Sequence, residues 1–283
     1  MKKLLFLLTL TAAVSCNTPQ ELAVMTLNMR YDNPEDGMNN WRFRRERIAG
    51  LIRSEAVDLL GTQEVLANQF DDLQALLPGY RAVGVGREDG ARAGEFNAVF
   101  FRSDRFELLD SGVFWLSEEP ETPGSKGWDG ACERLATWTV LRDKSGGELL
   151  FINTHLDHIG EQARREGVAL LLRRIETLRA GRPVILTGDF NAESSSPVIA
   201  HVVADSTLRS AWDTAPERNG VELLRFRAAS GGGASVDRLR VLRRRPGGPL
   251  LLDIARHARR RIPLRPCTRR STFEICTIKD RPL

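Results

Sequence analysis

Cysteine is scarce in this chain, and its scarcity limits both how the protein is held together and which chemistry it performs. Cys132 is the single cysteine between residues 17 and 266. One cysteine cannot build a disulfide framework, so such a framework is excluded for the body of the chain. Because a lone cysteine is more often a small buried residue than a nucleophile, Cys132 is not expected to carry catalysis.

Long apolar runs are absent after the first 16 residues, so no later segment is expected to span a membrane. The run from Leu4 to Leu10 follows two lysines and precedes small residues, the layout of a secretory signal peptide. Cys16 then resembles the bacterial lipoprotein cleavage box, in which this cysteine carries a lipid anchor, although Ala13 stands where leucine is commoner. An ordinary signal with an incidental cysteine is the alternative. Both interpretations predict a signal over residues 1–16 and an exported protein. The protein would be a lipoprotein of the cell envelope in the first case, and a periplasmic or secreted protein in the second.

Positive charge is confined largely to the end of the chain. Residues 221–283 hold 15 Arg and one Lys against five acidic residues, a net charge of +11, while the rest holds 25 basic and 32 acidic residues, a net charge of −7. A basic segment of this kind indicates binding to nucleic acid or to an anionic surface. Few aromatic residues are available there to stack on bases, only Phe226 and Phe273. A nucleic-acid-binding protein is therefore one hypothesis, although not the leading one.

Helical and extended patterns alternate through residues 22–220 without a linker, which predicts one domain. Strands are predicted over 22–29, 57–62, 80–85, 96–101, 137–141, 148–153 and 184–187. Helices are predicted over 41–53, 69–77, 160–179 and 194–203, and an exposed loop over 120–130. Because successive strands often lack a helix between them, the pattern favours a mixed α/β sandwich over a strict βαβ array.

Three polar clusters stand at the ends of apolar strands. They are Gln63-Glu64, the stretch from Asn153 to Asp157, and Gly188-Asp189-Phe190-Asn191. Carboxylates at strand ends offer the oxygen ligands that Mg²⁺ and Mn²⁺ prefer, and a neighbouring histidine can donate to a phosphate. Each cluster alone has a structural explanation: a surface or capping glutamate, a core histidine, or a turn.

Together with Leu27-Asn28-Met29-Arg30, these clusters occur in the order found in the endonuclease/exonuclease/phosphatase superfamily, the fold of pancreatic deoxyribonuclease, which the chain resembles over about residues 22–220. The resemblance implies an α/β fold: a four-layered sandwich of two packed mixed β-sheets flanked by helices. It also implies a Mg²⁺- or Mn²⁺-dependent hydrolase of phosphoesters, whether phosphodiesterase, nuclease or phosphatase. The expected mechanism is attack of water on phosphorus, assisted by the metal.

The resemblance also implies a role for each motif residue. Glu64 would be the principal metal ligand, helped by Asn28 and Asp189. His155 would bind the phosphate. Asp189 and Asn191 would position the water and the substrate.

Further stretches resemble an exported bacterial branch of the superfamily, among them Phe114 to Ser117 and Gly124 to Asp129. In that pattern Arg134 and Trp138 would line the substrate pocket, and His158 would be a second contact to the phosphate of the substrate. For Arg134 a surface role is the alternative, and for His158 a partnership with Glu161 at the start of a helix. The substrate class stays open among nucleic acid, a phospholipid head group and a sugar phosphate, and we expect a monomer.

The end of the domain departs from the family pattern. Members carry an Ile-Asp-Tyr-Ile-Phe strand and then Ser-Asp-His, and neither motif occurs in residues 221–283. Read one nucleotide later, the codons of 236–241 permit Ser-Ile-Asp-Tyr-Val-Phe, and those of 262–269 permit Tyr-Pro-Ser-Asp-His. We therefore expect a frameshift near residues 218–225. If the tail is authentic, Asp237 and His257 are not safe substitutes, and a catalytically impaired or binding-only protein is the alternative.

Overall fold

The structure, a computed structural model, describes residues 22–204 and 208–211, together with the backbone of strands at 240–244, 250–253 and 276–277. The expected signal segment and Cys16 lie outside the described residues, as do Asp237 and His257. Within the described part of the chain, no helix has both the length and the apolar character needed to cross a membrane.

The first sheet has six strands in the order β11-β10-β1-β2-β4-β3. Their bounds are β1 Val24–Asn28, β2 Leu59–Gln63, β3 Tyr80–Val83, β4 Val99–Arg102, β10 Arg240–Arg244 and β11 Leu250–Asp253. Strands β1 and β2 run parallel, and the other neighbours are antiparallel. The parallel pair places Asn28 opposite Gln63, so two of the motif segments end side by side.

The second sheet also has six strands, in the order β5-β6-β7-β8-β12-β9. Their bounds are β5 Phe106–Trp115, β6 Leu135–Asp143, β7 Glu148–His155, β8 Val184–Asp189, β9 Arg209–Ser210 and β12 Cys276–Thr277. Here β7 and β8 form the parallel pair, and His155 lies opposite Asp189. In each sheet, two motif strands therefore end side by side.

Helices cover the outer faces of the two sheets. They are α1 Trp41–Ser54, α2 Ala67–Leu76, α3 Glu161–Arg179 and α4 Pro197–Ala204, with a 3₁₀ turn at Pro34–Asn39. One apolar cluster packs α1 and α2 on the first sheet, another packs α3 and α4 on the second, and a third lies between the sheets. The expected α/β class and the layered sandwich of two mixed sheets are confirmed.

The layer between the sheets changes character along the strands, because every second side chain of a strand faces the same way. Its apolar part includes Val24, Leu59, Phe151 and Ile185. Two residues further along each strand stand Thr26, Gly61, Asn153 and Thr187. Two residues further again stand Asn28, Gln63, His155 and Asp189. The motif side chains thus continue the rows that form the core between the sheets.

Several predicted bounds shift, and one long strand was not predicted. Strand β5 was not predicted because the register of its pairing with β6 shifts between Leu108 and Asp110, and this shift interrupts the alternation of apolar residues. The strand predicted over 96–101 begins only at Val99, since Phe96 instead bridges to Val65 and Gly86. The predicted strand over 148–153 continues to residue 155, so the motif histidine belongs to the strand itself.

Candidate active site

Two carboxylates and one amide form the first part of the site. Asn28 Nδ2 donates to Glu64 Oε1 at 2.8 Å and to Asp189 Oδ2 at 3.1 Å, and thus joins side chains from the two sheets. Its Oδ1 accepts from the backbone N–H of Arg30 at 2.9 Å. The amide therefore turns its donor, rather than its oxygen, toward the carboxylates. Ligation of a metal by Oδ1 would require the amide to rotate and to release Arg30.

The backbone is strained at two motif residues, one just after strand β2 and one just after strand β8. Glu64 has φ 56° and Asn191 has φ 45°, in the left-handed region that side-chain-bearing residues seldom occupy. Such conformations persist only where surrounding contacts impose them, and they cluster at functional sites. For Asn191 those contacts include its N–H to Asp189 Oδ1 at 3.0 Å and its Nδ2 to the Leu156 carbonyl at 2.9 Å.

Burial raises the pKa of Asp189 to about 7, and the nearby charge of Glu64 adds to the increase. Hydrogen bonds from Asn191 and Asn28 act in the opposite direction but do not restore the ordinary value of this group. Two carboxylates that share one amide donor, one of them only 1% exposed, carry more negative charge than the protein around them neutralises. A cation at this place would remove the imbalance.

His155 lies beside the carboxylates and is neutral. Its Nε2 is 3.0 Å from Asn191 Nδ2 and 3.6 Å from Asp189 Oδ2. Burial depresses the pKa of the imidazole well below its usual range, and the positive charges of Arg134 and Arg87 depress it further. Because the Asn191 amide donates to Nε2, the ring proton belongs on Nδ1, which is buried without a hydrogen-bond partner among the described residues.

Arg134 and His158, the two residues predicted to bind substrate, lie in contact with each other. Arg134 is 6% exposed, so the alternative of a surface role does not apply. Its Nη2 is 3.0 Å from His158 Nδ1, its Nε donates to Asp157 Oδ2 at 3.4 Å, and its Nη1 is buried without a partner in the described part of the chain. His158 is thus bonded to the arginine, while α3 begins after Gly160 as its N-cap.

Asp157 organises the loops around that arginine, a role that sequence reasoning did not assign. Oδ1 accepts from the backbone N–H groups of Ile159 at 2.9 Å and Gly160 at 2.7 Å. Oδ2 accepts from the backbone N–H groups of Ala131 at 3.1 Å and Cys132 at 3.3 Å. Burial alone would raise the pKa of this carboxyl, but these backbone donors, together with Arg134, lower it far below its ordinary value.

The same donors decide the nature of a cluster formed by Cys132, Asp157 and His158. Their potential ligand atoms lie within 4.8 Å of one another. Both oxygens of Asp157 are already occupied by N–H donors, however, and burial raises the pKa of the Cys132 thiol, which disfavours the thiolate that binds metals. We therefore interpret this cluster as a structural anchor and not as a metal centre.

Glu95 and Arg87 lie near the site, and neither residue was predicted from the sequence. They form an ion pair at 2.6 Å. Burial raises the pKa of Glu95, Arg87 opposes the increase, and the charge of Glu64 contributes to it, which places the pair within electrostatic reach of the site. No strand-end pattern marks either residue, so a sequence signal for them is lacking.

Comparisons with known proteins show the family of this chain. The sequence profile of the Endonuclease/Exonuclease/phosphatase family matches residues 25–252. The chain belongs to this family. Members of the family are hydrolases that act on phosphoesters and generally use divalent metals.

Solved structures of family members from Bacteroides are similar to this chain. An endonuclease/exonuclease/phosphatase from Bacteroides vulgatus shares 43% sequence identity with a TM-score of 0.68, over 70% of this chain and 76% of that one. A mannosyl-6-phosphatase from Bacteroides thetaiotaomicron shares 35% identity with a TM-score of 0.71, over 78% of this chain and 85% of that one.

Similarity to curated sequences is more distant. The CCR4-Not complex 3'-5'-exoribonuclease subunit Ccr4 of Emericella nidulans is 26% identical over 174 residues, which are 52% of this chain and 25% of that protein. The chain therefore spans about a quarter of the length of this curated relative.

Proposed function

We propose that the protein is a Mg²⁺- or Mn²⁺-dependent phosphoester hydrolase in which Glu64 and Asp189 hold the cation. The observation that carries this proposal is the pair of carboxylates joined by Asn28 Nδ2, with the pKa of buried Asp189 raised to about 7. Hard divalent cations take such oxygen ligands together with waters and substrate phosphate. When bound, the cation would polarise the phosphoryl group and stabilise the leaving oxygen.

The remaining side chains have complementary tasks in this proposal. His155, neutral and with its proton on the unpartnered Nδ1, donates a hydrogen bond to a phosphate oxygen. Asn191 fixes the imidazole through Nε2, and its N–H holds Asp189 Oδ1. Asp189 is then placed to orient the attacking water as well as the cation. Reactions at phosphorus depend mainly on such positioning and on neutralisation of charge.

Arg134 supplies a fixed positive charge for the substrate phosphate, with His158 beside it. A guanidinium with an unpartnered buried Nη1 is suited to a phosphate oxygen, because a ligand that accepts from it removes the cost of the unmade hydrogen bond. A phosphomonoester carries more negative charge than a diester at neutral pH, so we favour a monoester. The similarity to a mannosyl-6-phosphatase supports this choice, while the similarity to Ccr4 keeps a nuclease as the second candidate.

Turnover of simple chromogenic esters tests the proposal. The full chain, stripped of metal with EDTA, would be assayed with p-nitrophenyl phosphate and with bis-p-nitrophenyl phosphate during titration with Mg²⁺ or Mn²⁺. We expect metal-dependent hydrolysis that Glu64→Gln abolishes. Glu176→Gln, the same change at an exposed residue of α3, should leave it intact. Hydrolysis that persists without metal would overturn the proposal, and metal binding without turnover would favour the binding-only alternative.

We further propose that residues 221–283 arise from a shifted reading frame. Two motifs that the family places near its end are permitted in one shifted frame and in the correct order. Most of these residues lie outside the described part of the chain. Sequencing the gene from several isolates decides the matter, because an intact frame in all of them would contradict a slip. A frame-corrected protein should then be more active than the chain as written.

Export is the last part of the proposal, and it rests on the sequence of residues 1–16 alone. Cell fractionation with mass spectrometry of the mature N-terminus would distinguish a lipidated Cys16 from cleavage without lipid. Recovery of the uncleaved chain in the cytoplasm would contradict export.

A further inference from the structure

A buried polar cluster joins the two sheets directly behind the motif residues. Asn153 lies at its centre and has no solvent exposure. Its Nδ2 donates to the backbone carbonyls of Thr62 at 2.7 Å and Ala98 at 3.2 Å, both in the layer of the first sheet. Its Oδ1 accepts from Gln63 Nε2 at 2.6 Å and from Thr187 Oγ1 at 3.1 Å. One side chain of the second sheet therefore binds the first sheet at three points.

Each member of this cluster is close in sequence to a residue of the site. Gln63 directly precedes Glu64, Asn153 stands two residues before His155, and Thr187 stands two residues before Asp189. A shift of the cluster would therefore be passed to the site through two peptide units at most. Gln63 also donates to Thr26 Oγ1 at 3.1 Å, and Thr26 stands two residues before Asn28.

Gly61 shows how closely the sheets approach here. A Cβ at this position would lie 2.2 Å from Thr187 Oγ1 and 2.5 Å from Asn153 Oδ1. Both distances are far below contact, so a side chain at residue 61 would have to displace the Asn153 amide and the Thr187 hydroxyl. The missing side chain gives the Asn153 amide the room to reach the opposite sheet, and it leaves room for the Thr187 hydroxyl that donates to this amide within the second sheet.

A purely apolar layer would hold the sheets together without fixing how they are aligned. Apolar contacts are not directional, so two sheets packed in this way can slide at little cost. Buried hydrogen bonds have defined lengths and directions, and their loss leaves unpaired groups, so they select one alignment. In this molecule the apolar part lies further back along the strands, and the polar part stands next to the site.

We propose that Asn153, Gln63 and Thr187 are positioning residues that set the separation of Glu64 and Asp189 across the two sheets. The inference rests on the proposed function of those carboxylates as metal ligands. It predicts that loss of the cluster weakens metal binding before it unfolds the protein. Neither Asn153 nor Thr187 would touch the cation or the substrate.

Thr187→Val is the most economical test, because it removes the hydroxyl and keeps the shape. Thr187→Ser keeps the hydroxyl and should behave like the unaltered protein. Thr139→Val is the matched control: this hydroxyl is equally buried and donates to the Phe151 carbonyl at 3.4 Å, but it lies further from the site along the sheet. For each variant, Mn²⁺ affinity would be measured by calorimetry on the full chain, and the melting temperature recorded beside it.

We expect Thr187→Val to weaken Mn²⁺ binding about tenfold, a factor typical of one lost positioning contact. Thr187→Ser should restore the affinity, and Thr139→Val should lower the melting temperature comparably while leaving the affinity unchanged. Equal affinity in Thr187→Val and the unaltered protein would overturn the inference. So would a loss of affinity in Thr139→Val that tracks its melting temperature, since the effect would then be general destabilisation.

The test separates this inference from the function on which it rests. If the unaltered protein binds no Mn²⁺ and Glu64→Gln changes nothing, the proposed metal site itself fails. If the unaltered protein binds Mn²⁺ through Glu64 and Thr187→Val binds it equally well, the metal site stands and the positioning role fails.

Discussion

Two aspartates of the site are equally hidden from solvent and behave in opposite ways. Asp157 and Asp189 are each 1% exposed. The pKa of Asp157 lies far below its ordinary value, whereas that of Asp189 rises to about 7. Deep burial is the largest cause of the raised pKa of Asp189, whereas Asp157 is surrounded less densely by protein and its hydrogen-bond donors outweigh the effect of burial. Asp157 accepts from four backbone N–H groups and from Arg134, while Asp189 accepts from Asn28 and Asn191 and has Glu64 nearby.

Low solvent exposure alone therefore does not decide the task of an acidic side chain; the depth of its burial and the number of donors that it finds decide it together. Asp157 is satisfied by the protein itself and so acts as an anchor for two loops and an arginine. Asp189 is left short of positive charge, which the folded protein tolerates only because a proton or a cation can supply it. We expect changes at the two residues to separate stability from activity.

Asp189→Asn should give the largest effect on activity. We expect a fall in turnover of about a thousandfold or more, because the change removes a charged metal ligand and the group that orients water. The measurement is kcat for the best ester at saturating Mg²⁺ or Mn²⁺. Asp104→Asn, the same change at an exposed residue of the β4–β5 turn, serves as the control and should retain full turnover.

The same Asp189→Asn change should stabilise the metal-free protein at high pH. Since folding raises the pKa of Asp189 from 3.8 to about 7, its stability contribution is complete below pH 3.8 and is lost as the pH rises through 7. At pH 8 the variant should then be more stable by roughly 2–4 kcal/mol. Urea unfolding in EDTA at pH 5 and pH 8 measures the difference in stability. If the variant is no more stable than the unaltered protein at pH 8, the charged Asp189 carboxylate does not destabilise the metal-free protein, and the explanation fails.

Asp157→Asn should show the reverse behaviour, a loss of stability with metal binding retained. In the variant, the amide Nδ2 would face backbone N–H groups that donate to a carboxylate oxygen in the unaltered protein, so these groups would lose their acceptor. We therefore expect destabilisation by about 3 kcal/mol. Because folding lowers the pKa of Asp157, its stabilisation is present above pH 3.8 and is lost as the pH falls below that value. The difference between unaltered protein and variant, followed by urea unfolding, should therefore shrink on acidification. A constant difference from pH 7 to pH 3 would refute this explanation.

The sequence led to a predicted role for Asp189 and to none for Asp157, for a physical reason. Asp189 follows an apolar strand within a motif of fixed spacing, so local pattern and family resemblance both pointed to it. The task of Asp157 depends on N–H groups at residues 131–132, about 25 positions away. Loop backbone that folds onto a carboxylate leaves no periodic signal in the sequence.

The same reasoning applies to the fold. The apolar strands and the helix α3 were predicted because their periodicity is local. Strand β5 was missed because a bulge breaks its alternation, and the closeness of the sheets at Gly61 depends on Asn153 and Thr187, which are far away in the chain. Arg87 and Glu95 could not be predicted because no strand-end pattern marks either residue.

Arg134→Met should have an intermediate effect that falls on substrate rather than on metal. The change keeps the length of the side chain and removes the charge, so we expect KM for the monoester to rise about tenfold to a hundredfold. KM for the diester should rise less, because the diester carries less charge. Mn²⁺ affinity, measured by calorimetry, should stay unchanged. An equal rise for both esters would refute a preference for monoesters at this position.

Cys132→Ala should have the smallest effect, and it decides whether the anchor around Asp157 is also a metal centre. The thiol is 3.7 Å from Asp157 Oδ2, a weak contact beside the backbone N–H groups that hold the same oxygen. If those N–H groups occupy the carboxylate fully, removal of the sulfur should cost less than about 1 kcal/mol and leave metal stoichiometry unchanged. The stoichiometry would be measured with Zn²⁺ as well as Mn²⁺, since a thiolate and an imidazole favour the softer ion. Loss of one bound Zn²⁺ in Cys132→Ala would show that Cys132, Asp157 and His158 give up their hydrogen bonds to bind a cation. Asp157 and Asp189 would then both be metal ligands, and they would differ in the type of metal that each binds.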